Sequence, residues 1–211
     1  MVLVVGLGSG RCGTMSLAAL LGTQDRADVA HERAPALRWA HEDFPQRHFR
    51  RVKAGLQLYG DVGFYYLPHV KDLVGLLPGV RFVCLKRDRQ EVIDSFCRYL
   101  PDDLNHWQTH VDDTYRRSNW DLSYPKYDAS LSREEAIGAY WDDYYAEAQR
   151  LEASMPECFR IFPVDALNTL HGVLAILGFV GVQDPKPVYG LHLHRTQPIE
   201  QGAMAWPPML T

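Results

Sequence analysis

Three short apolar runs, each leading into a stretch of helical spacing, set the rhythm of this chain. Val2-Leu3-Val4-Val5 is continuous and rich in β-branched residues, as a strand buried on both faces should be. Met15 to Leu21 follows as a helix ending near Gly22. Val80-Arg81-Phe82-Val83-Cys84-Leu85-Lys86 is the second run, and a helix from Gln90 to Tyr99 follows it. The third is Phe159-Arg160-Ile161-Phe162-Pro163-Val164, after which Asp165 or Asn168 can cap a helix to about Leu177, ended by Gly178-Phe179-Val180-Gly181.

Weaker patterns fill the gaps. Asp28-Val29-Ala30-His31-Glu32 reads as a short strand ending in two titratable groups, and 36–52 as partly helical and rich in Arg and His. Tyr59 to Gly63 reads as a strand end or turn. Leu67, Val70, Leu73, Val74 and Leu77 mark a helix stopping at Pro78-Gly79. From Pro101 to Ser132 periodicity dissolves, and a loop of that length inside a compact domain is usually functional or mobile. Its Trp107, Trp120 and Tyr124 are candidates for acceptor contact or a lid. Arg133 to Met155 is a strong helix whose Tyr140, Trp141 and Tyr144 read as a core face.

Strands alternating with helices predict an α/β fold: three layers, α/β/α, around a central parallel sheet, P-loop nucleotide-transferase-like, with ligands at the carboxyl ends of the strands. The expectation is one domain over 1–211, with 183–211 as an irregular C-terminal tail. That tail holds five of the thirteen prolines and is expected to wrap the surface or cover the site.

Composition narrows the class. With 211 residues, 46% hydrophobic and 23% charged, the chain can bury one sizeable core. A formal net charge of −4 argues against general nucleic-acid binding, so any phosphate site must be local. No apolar run approaches the roughly 18 residues of a membrane span. The chain enters a strand at once, without the basic segment of a signal peptide, and Cys12, Cys84, Cys97 and Cys158 lack paired spacing. Reduced thiols and a cytoplasmic location are the expectation.

The chemistry concentrates in Gly6-Leu7-Gly8-Ser9-Gly10-Arg11-Cys12-Gly13-Thr14-Met15-Ser16, between the first strand and the first helix. Glycines let backbone approach an anion, and helix amides and dipole then favour its charge. The order Gly-Lys-Ser/Thr of an ATPase loop is absent, since Arg11 precedes the last glycine and Met15 follows Thr14. Nor does the spacing make a dinucleotide fingerprint. An Arg buried here without an anion would be costly. Arg87 stands at the tip of the second strong strand, with Ser95 eight residues on, placed to clasp a second phosphate.

Together these segments resemble the sulfotransferases that use 3′-phosphoadenosine 5′-phosphosulfate (PAPS). In that family a strand–loop–helix of the form Arg/Lys-Ser-Gly-Thr-Thr holds the 5′-phosphosulfate; Arg11-Cys12-Gly13-Thr14-Met15 stands there. A strand-end Arg with a Ser eight residues later holds the 3′-phosphate; those are Arg87 and Ser95. The stretch from Val164 through the Leu-Gly-Phe of 177–179 looks like the family's late strand and helix end, so the resemblance spans most of 1–182. The chain departs from the pattern at Cys12, at Met15 and at Arg89, where Pro is common. No late basic-glycine loop is found, and Arg195 is the substitute cation.

The resemblance implies transfer of a sulfuryl group from PAPS to an acceptor hydroxyl or amine, releasing 3′,5′-ADP, with no metal. The acceptor would be a small molecule, carbohydrate or lipid. Gly10, Arg11, Cys12, Gly13, Thr14, Met15 and Ser16 would form the 5′ site, and Arg87, Ser95 and Arg195 the 3′ site. Arg11 would stabilise charge on the leaving oxygen. Protein-tyrosine and bacterial glycolipid sulfotransferases place a base Glu where Glu32 lies, with His31 as second candidate and His69 and Asp61 behind them. A Glu32 that merely pairs with Arg33 or Arg38 remains open. So do a kinase with an eroded loop, which needs magnesium and a carboxylate such as Asp61, and a non-catalytic adenine-nucleotide binding module. His106-x₃-His110 and His192-x-His194 have ligand-like spacing, but solvated loop histidines are the simpler account.

Overall fold

A computed structural model describes residues 1–33, 38–39, 55–101, 104–108 and 120–191. Arg195, His110, His192, His194 and nearly all of the stretch 36–52 lie outside the described residues.

Five parallel strands form the sheet: β1 Val2–Leu7, β2 Ala27–His31, β3 Leu58–Val62, β4 Arg81–Lys86 and β5 Phe159–Pro163, in the order β2-β3-β1-β4-β5. Among the described residues, five α-helices accompany them: α1 Thr14–Gly22, α2 Val70–Leu76, α3 Arg89–Tyr99, α4 Arg133–Ser154 and α5 Leu170–Val180. The apolar runs are continuous because both sheet faces are covered. Val4, Val83 and Leu85 pack toward α1 and α5, whereas Val5, Leu7, Phe82 and Cys84 pack toward α2, α3 and α4. The expected three-layer α/β/α architecture is what forms.

Register aligns the strand tips. Gly6 and His31 both pair with Val62, and Leu7 pairs with Cys84. The carboxyl ends of β1, β2, β3 and β4 therefore open on one edge, where the loops after them meet.

Several expectations change. Tyr59 to Gly63, expected as a strand end or turn, holds most of a full strand: Leu58–Val62 is buried throughout, and its Gly60 and Asp61 had obscured the pattern. The helix expected from Leu67 begins as a 3₁₀ helix over Phe64–His69, with Pro68 inside it, and becomes α2 only at Val70. Neither Asp165 nor Asn168 caps the last helix. Val164–Asn168 is itself a 3₁₀ turn, and the Thr169 hydroxyl accepts from the Gly172 amide at 3.1 Å.

Side chains cap two other helices. Ser132 and Glu135 close a capping box on α4, and Asp88 caps α3 by accepting from the Glu91 amide at 3.1 Å.

The long aperiodic stretch contributes to the core. Trp107 is fully buried and Tyr124 nearly so, packed with Phe64, Phe96 and Tyr140. Trp107 is therefore a core residue, not the acceptor-contact or lid residue expected. His106 is also buried, with Nδ1 2.6 Å from Asp121, rather than solvated. The start of the tail is strapped down: Gln24 exchanges hydrogen bonds of 2.9 Å with the Lys186 backbone, and the Gly190 amide donates to Leu167 at 3.0 Å.

Candidate active site

The loop from Ser9 to Gly13 passes three times through left-handed backbone. Gly10 and Gly13 both sit at φ 85°, which glycine adopts freely, and Arg11 between them sits at φ 53°. A side chain at Gly10 would also collide with Phe96 of α3, whose Cζ lies 2.8 Å from the place of a Cβ. Gly13 is the N-cap of α1 and supplies no side-chain cap; no acid occupies the first turn. The helix thus presents its amide end and positive dipole uncapped, as an anion site requires.

Two tyrosines of α4 hold the loop from below. The Gly8 amide donates to the Tyr144 hydroxyl at 3.0 Å, and the Ser9 amide to the Tyr145 hydroxyl at 3.4 Å. Those hydroxyls donate onward to the Phe64 and Leu85 carbonyls, at 3.2 and 2.7 Å. The helical face read as core is core, and its hydroxyls also fix the glycine turn. The adjacent Tyr pair in an otherwise apolar face was the available signal.

Arg11 rests over the ring of Tyr99, 4.3 Å from its centroid, and donates from Nε to Ser95 Oγ at 3.1 Å. Burial lowers its pKa, Tyr99 opposes that, and the neighbouring Arg87 adds to it. Its terminal nitrogens have no acceptor among the described residues. Arg87 donates from Nη1 to the Arg11 carbonyl at 3.0 Å and from Nε to Glu91 at 2.7 Å; its Nη2 is likewise unpaired among the described residues. The loop arginine, the strand-tip arginine and the helix serine, far apart in sequence, thus meet at one place. Tyr99 carried no sequence signal.

The remaining loop positions divide. Cys12 is fully buried, and burial pushes its thiol up to about 11, so desolvation outweighs the helix terminus. It packs, as a small residue should. The Met15 side chain is exposed, leaving only its amide at the helix end. The Thr14 hydroxyl lies 3.0 Å from His31 Nε2, and Ser16 Oγ donates to the Leu191 carbonyl at 2.7 Å. Ser16 thereby ties the strapped tail segment to the first turn of α1.

Glu32 follows β2 directly, at φ 51°. Its amide donates to the Val62 carbonyl at 2.9 Å. Of the two competing partners, Arg33 and Arg38, Arg33 hydrogen-bonds Asp28 instead of Glu32. Glu32 Oε2 lies 3.6 Å from His31 Nδ1, an ion-pair distance rather than a hydrogen bond. Burial, and then the charge of Asp61, push Glu32 up to about 7. Tyr124 stands within electrostatic reach of both Glu32 and Arg11; burial raises its phenol, Glu32 adds to that and Arg11 opposes it. The Glu32 carboxyl and the Arg11 guanidinium thus act electrostatically on the same buried phenol.

Asp61 and His69 are buried too, but neither is a free base. Asp61 accepts from the Val62 and Arg33 amides and from the Tyr66 hydroxyl, at 3.0, 3.2 and 2.8 Å. His69 Nε2 lies 3.4 Å from the Arg38 carbonyl.

No protein-family model and no curated protein sequence matches this chain. Among solved structures, the crystal structure of a sulfotransferase from Alicyclobacillus acidocaldarius superimposes with a TM-score of 0.54. The fold is similar to that of a sulfotransferase. The match covers 91% of this chain and 86% of the other, at 16% sequence identity, so what it shows is shared architecture. No helix among the described residues is long and apolar enough to cross a membrane.

Proposed function

We propose that the protein is a sulfotransferase that moves a sulfuryl group from PAPS to an acceptor hydroxyl or amine. One observation carries the reading. Arg11 and Arg87 converge at the mouth of an uncapped helix, and both keep guanidinium nitrogens without acceptors among the described residues. Two cations held that close, one of them half-desolvated, call for an anion carrying more than one phosphate-like group. The similar fold of a sulfotransferase supports the same reading.

The residues present fit such a donor. The amides of the turn and of the first helical turn would hold the 5′-phosphosulfate, and Arg87 the 3′-phosphate, with Ser95 orienting Arg11 between them. The donor supplies an activated sulfuryl group, whose bond to the phosphate oxygen breaks as the acceptor oxygen bonds to sulfur. Arg11 neutralises charge building on the leaving oxygen. Glu32 takes the acceptor proton, and a pKa near neutrality suits a base that must be ionised beforehand and protonated afterwards.

The decisive experiment is a thermal shift with 3′,5′-ADP against ATP–magnesium. Stabilisation by 3′,5′-ADP is expected; stabilisation by ATP–magnesium alone overturns the reading in favour of a kinase. Glu32→Gln then separates enzyme from binding module: PAPS turnover collapses while 3′,5′-ADP binding persists.

A further inference from the structure

Two carboxylates stand side by side at neighbouring strand tips. Glu32 follows the last residue of β2, and Asp61 is the next-to-last residue of β3, in register with Ala30. Asp61 is 6% exposed on a strand with no exposed position, an expensive place for a charge unless it does something. What it does is visible in its partners. One oxygen accepts from the Arg33 amide at 3.2 Å and the Val62 amide at 3.0 Å, and the other from the Tyr66 hydroxyl at 2.8 Å.

Those contacts bracket Glu32. Its own amide is held by the Val62 carbonyl at 2.9 Å, and the next amide, Arg33, by Asp61. Glu32 sits between them at φ 51°, a left-handed conformation that is strained for a non-glycine residue. Without a side-chain acceptor at Asp61, the turn can relax and swing Glu32 out of the site.

We propose that Asp61 is the positioning residue for Glu32: its carboxylate pins the strained turn that presents Glu32 and lays a second negative charge beside it. This rests on the assignment of Glu32 as the base. The like charge delays ionisation of Glu32, in the direction already set by burial. The other groups facing Glu32 among the described residues are His31 on β2, Tyr65 on the 3₁₀ helix and Tyr124. Tyr65 and Tyr66 face Asp61 and stay neutral, since burial raises both phenols far above neutrality. Arg33 turns away to Asp28.

The test reads the Glu32 carboxyl directly, by carbon NMR of glutamate-labelled protein, with Glu32→Gln identifying the signal. Asp61→Asn keeps an acceptor for the two amides and removes the charge. Its Glu32 midpoint is expected to fall, by up to about one pH unit since burial is the larger cause of the raise, while 3′,5′-ADP affinity stays at the wild-type value. An unmoved midpoint overturns the proposal. Asp61→Ala removes the pin as well, and the Arg33 amide is expected to lose its protection from hydrogen exchange. Should neither variant fold, exchange in the wild-type protein decides: a protected Arg33 amide supports the pin, and one exchanging as fast as an unstructured amide overturns it. A Glu32→Gln protein that keeps turning over PAPS overturns the base assignment instead, on a different signal.

Discussion

Arg11 Nε donates to Ser95 Oγ across 3.1 Å, although the two residues lie 84 positions apart in the chain. The bond joins the glycine turn after β1 to the helix after β4. It brings the loop arginine and the helix serine to one place, with the Ser95 hydroxyl accepting from Arg11 and fixing the direction of its guanidinium.

Arg11 and Arg87 should fail differently. Arg11→Lys keeps a charge but loses the fork and its stacking on Tyr99. PAPS turnover is expected to drop by roughly 10²-fold or more, the scale of removing one transition-state donor, with 3′,5′-ADP affinity much less affected. Arg87→Ala should weaken 3′,5′-ADP binding by about tenfold or more, as loss of a charge-assisted bond does, while leaving 5′-AMP binding nearly unchanged. Calorimetric titration with the two nucleotides checks this. Equal losses for both would remove Arg87 from the 3′ site.

Glu32 makes stability depend on pH in a defined direction. Its folded pKa, about 7, lies above its ordinary value of 4.5. The protonated form is the one the fold tolerates, so the stability linked to this group is complete below about pH 4.5. It is lost as pH rises through about 7. Glu32→Gln should therefore raise the melting temperature at pH 8 by a few degrees relative to wild type, and hardly at all at pH 4. Thermal melts of both proteins across that range give the answer; a constant difference would mean that Glu32 titrates normally.

The loop depends on its tyrosine supports. Tyr144→Phe leaves the Gly8 amide and the Phe64 carbonyl without that partner, at a cost of about 1–3 kcal/mol. Urea denaturation should show the loss. 3′,5′-ADP affinity should fall with it, because the turn is no longer held in its binding geometry. A variant equally stable and equally tight in binding would show that the turn holds itself.

Cys12 should be inert despite standing at a helix N-terminus. It is fully buried and its thiol is raised to about 11. Iodoacetamide at pH 8 is expected to label Cys97, which is only half-buried, and to spare Cys12 in the folded protein. Mass spectrometry of the labelled peptides distinguishes them. Rapid native labelling of Cys12 would mean that the loop opens.

Much of the fold was legible because its strands are buried on both faces and so read as unbroken apolar runs. β3 read only as a strand end or turn for a physical reason: Gly60 and Asp61 interrupt its pattern. Gly60 is there because any Cβ would meet the Val4 carbonyl of β1 at 2.1 Å, and Asp61 because it serves the turn after β2. Trp107 and Tyr124 misled in the opposite sense. They sit in an aperiodic stretch, yet fill the space between α3, α4 and the 3₁₀ helix. Periodicity cannot report a side chain that reaches the core from a loop.

The sequence alone determined which residues are chemically equipped for the site: Arg11 among glycines, Arg87 at a strand end with Ser95 after it, and Glu32 closing a short strand. Those properties are local, set by residue type and by the turn or tip each occupies. Only the tertiary structure decided that Arg11, Arg87 and Ser95 converge, because strand order and register bring the carboxyl ends of four strands to one edge. It also decided that Glu32 faces Asp61 rather than Arg33, and that Cys12 is buried rather than reactive. Desolvation and charge pairing depend on what chain folding packs around a group, and no spacing along the chain encodes that.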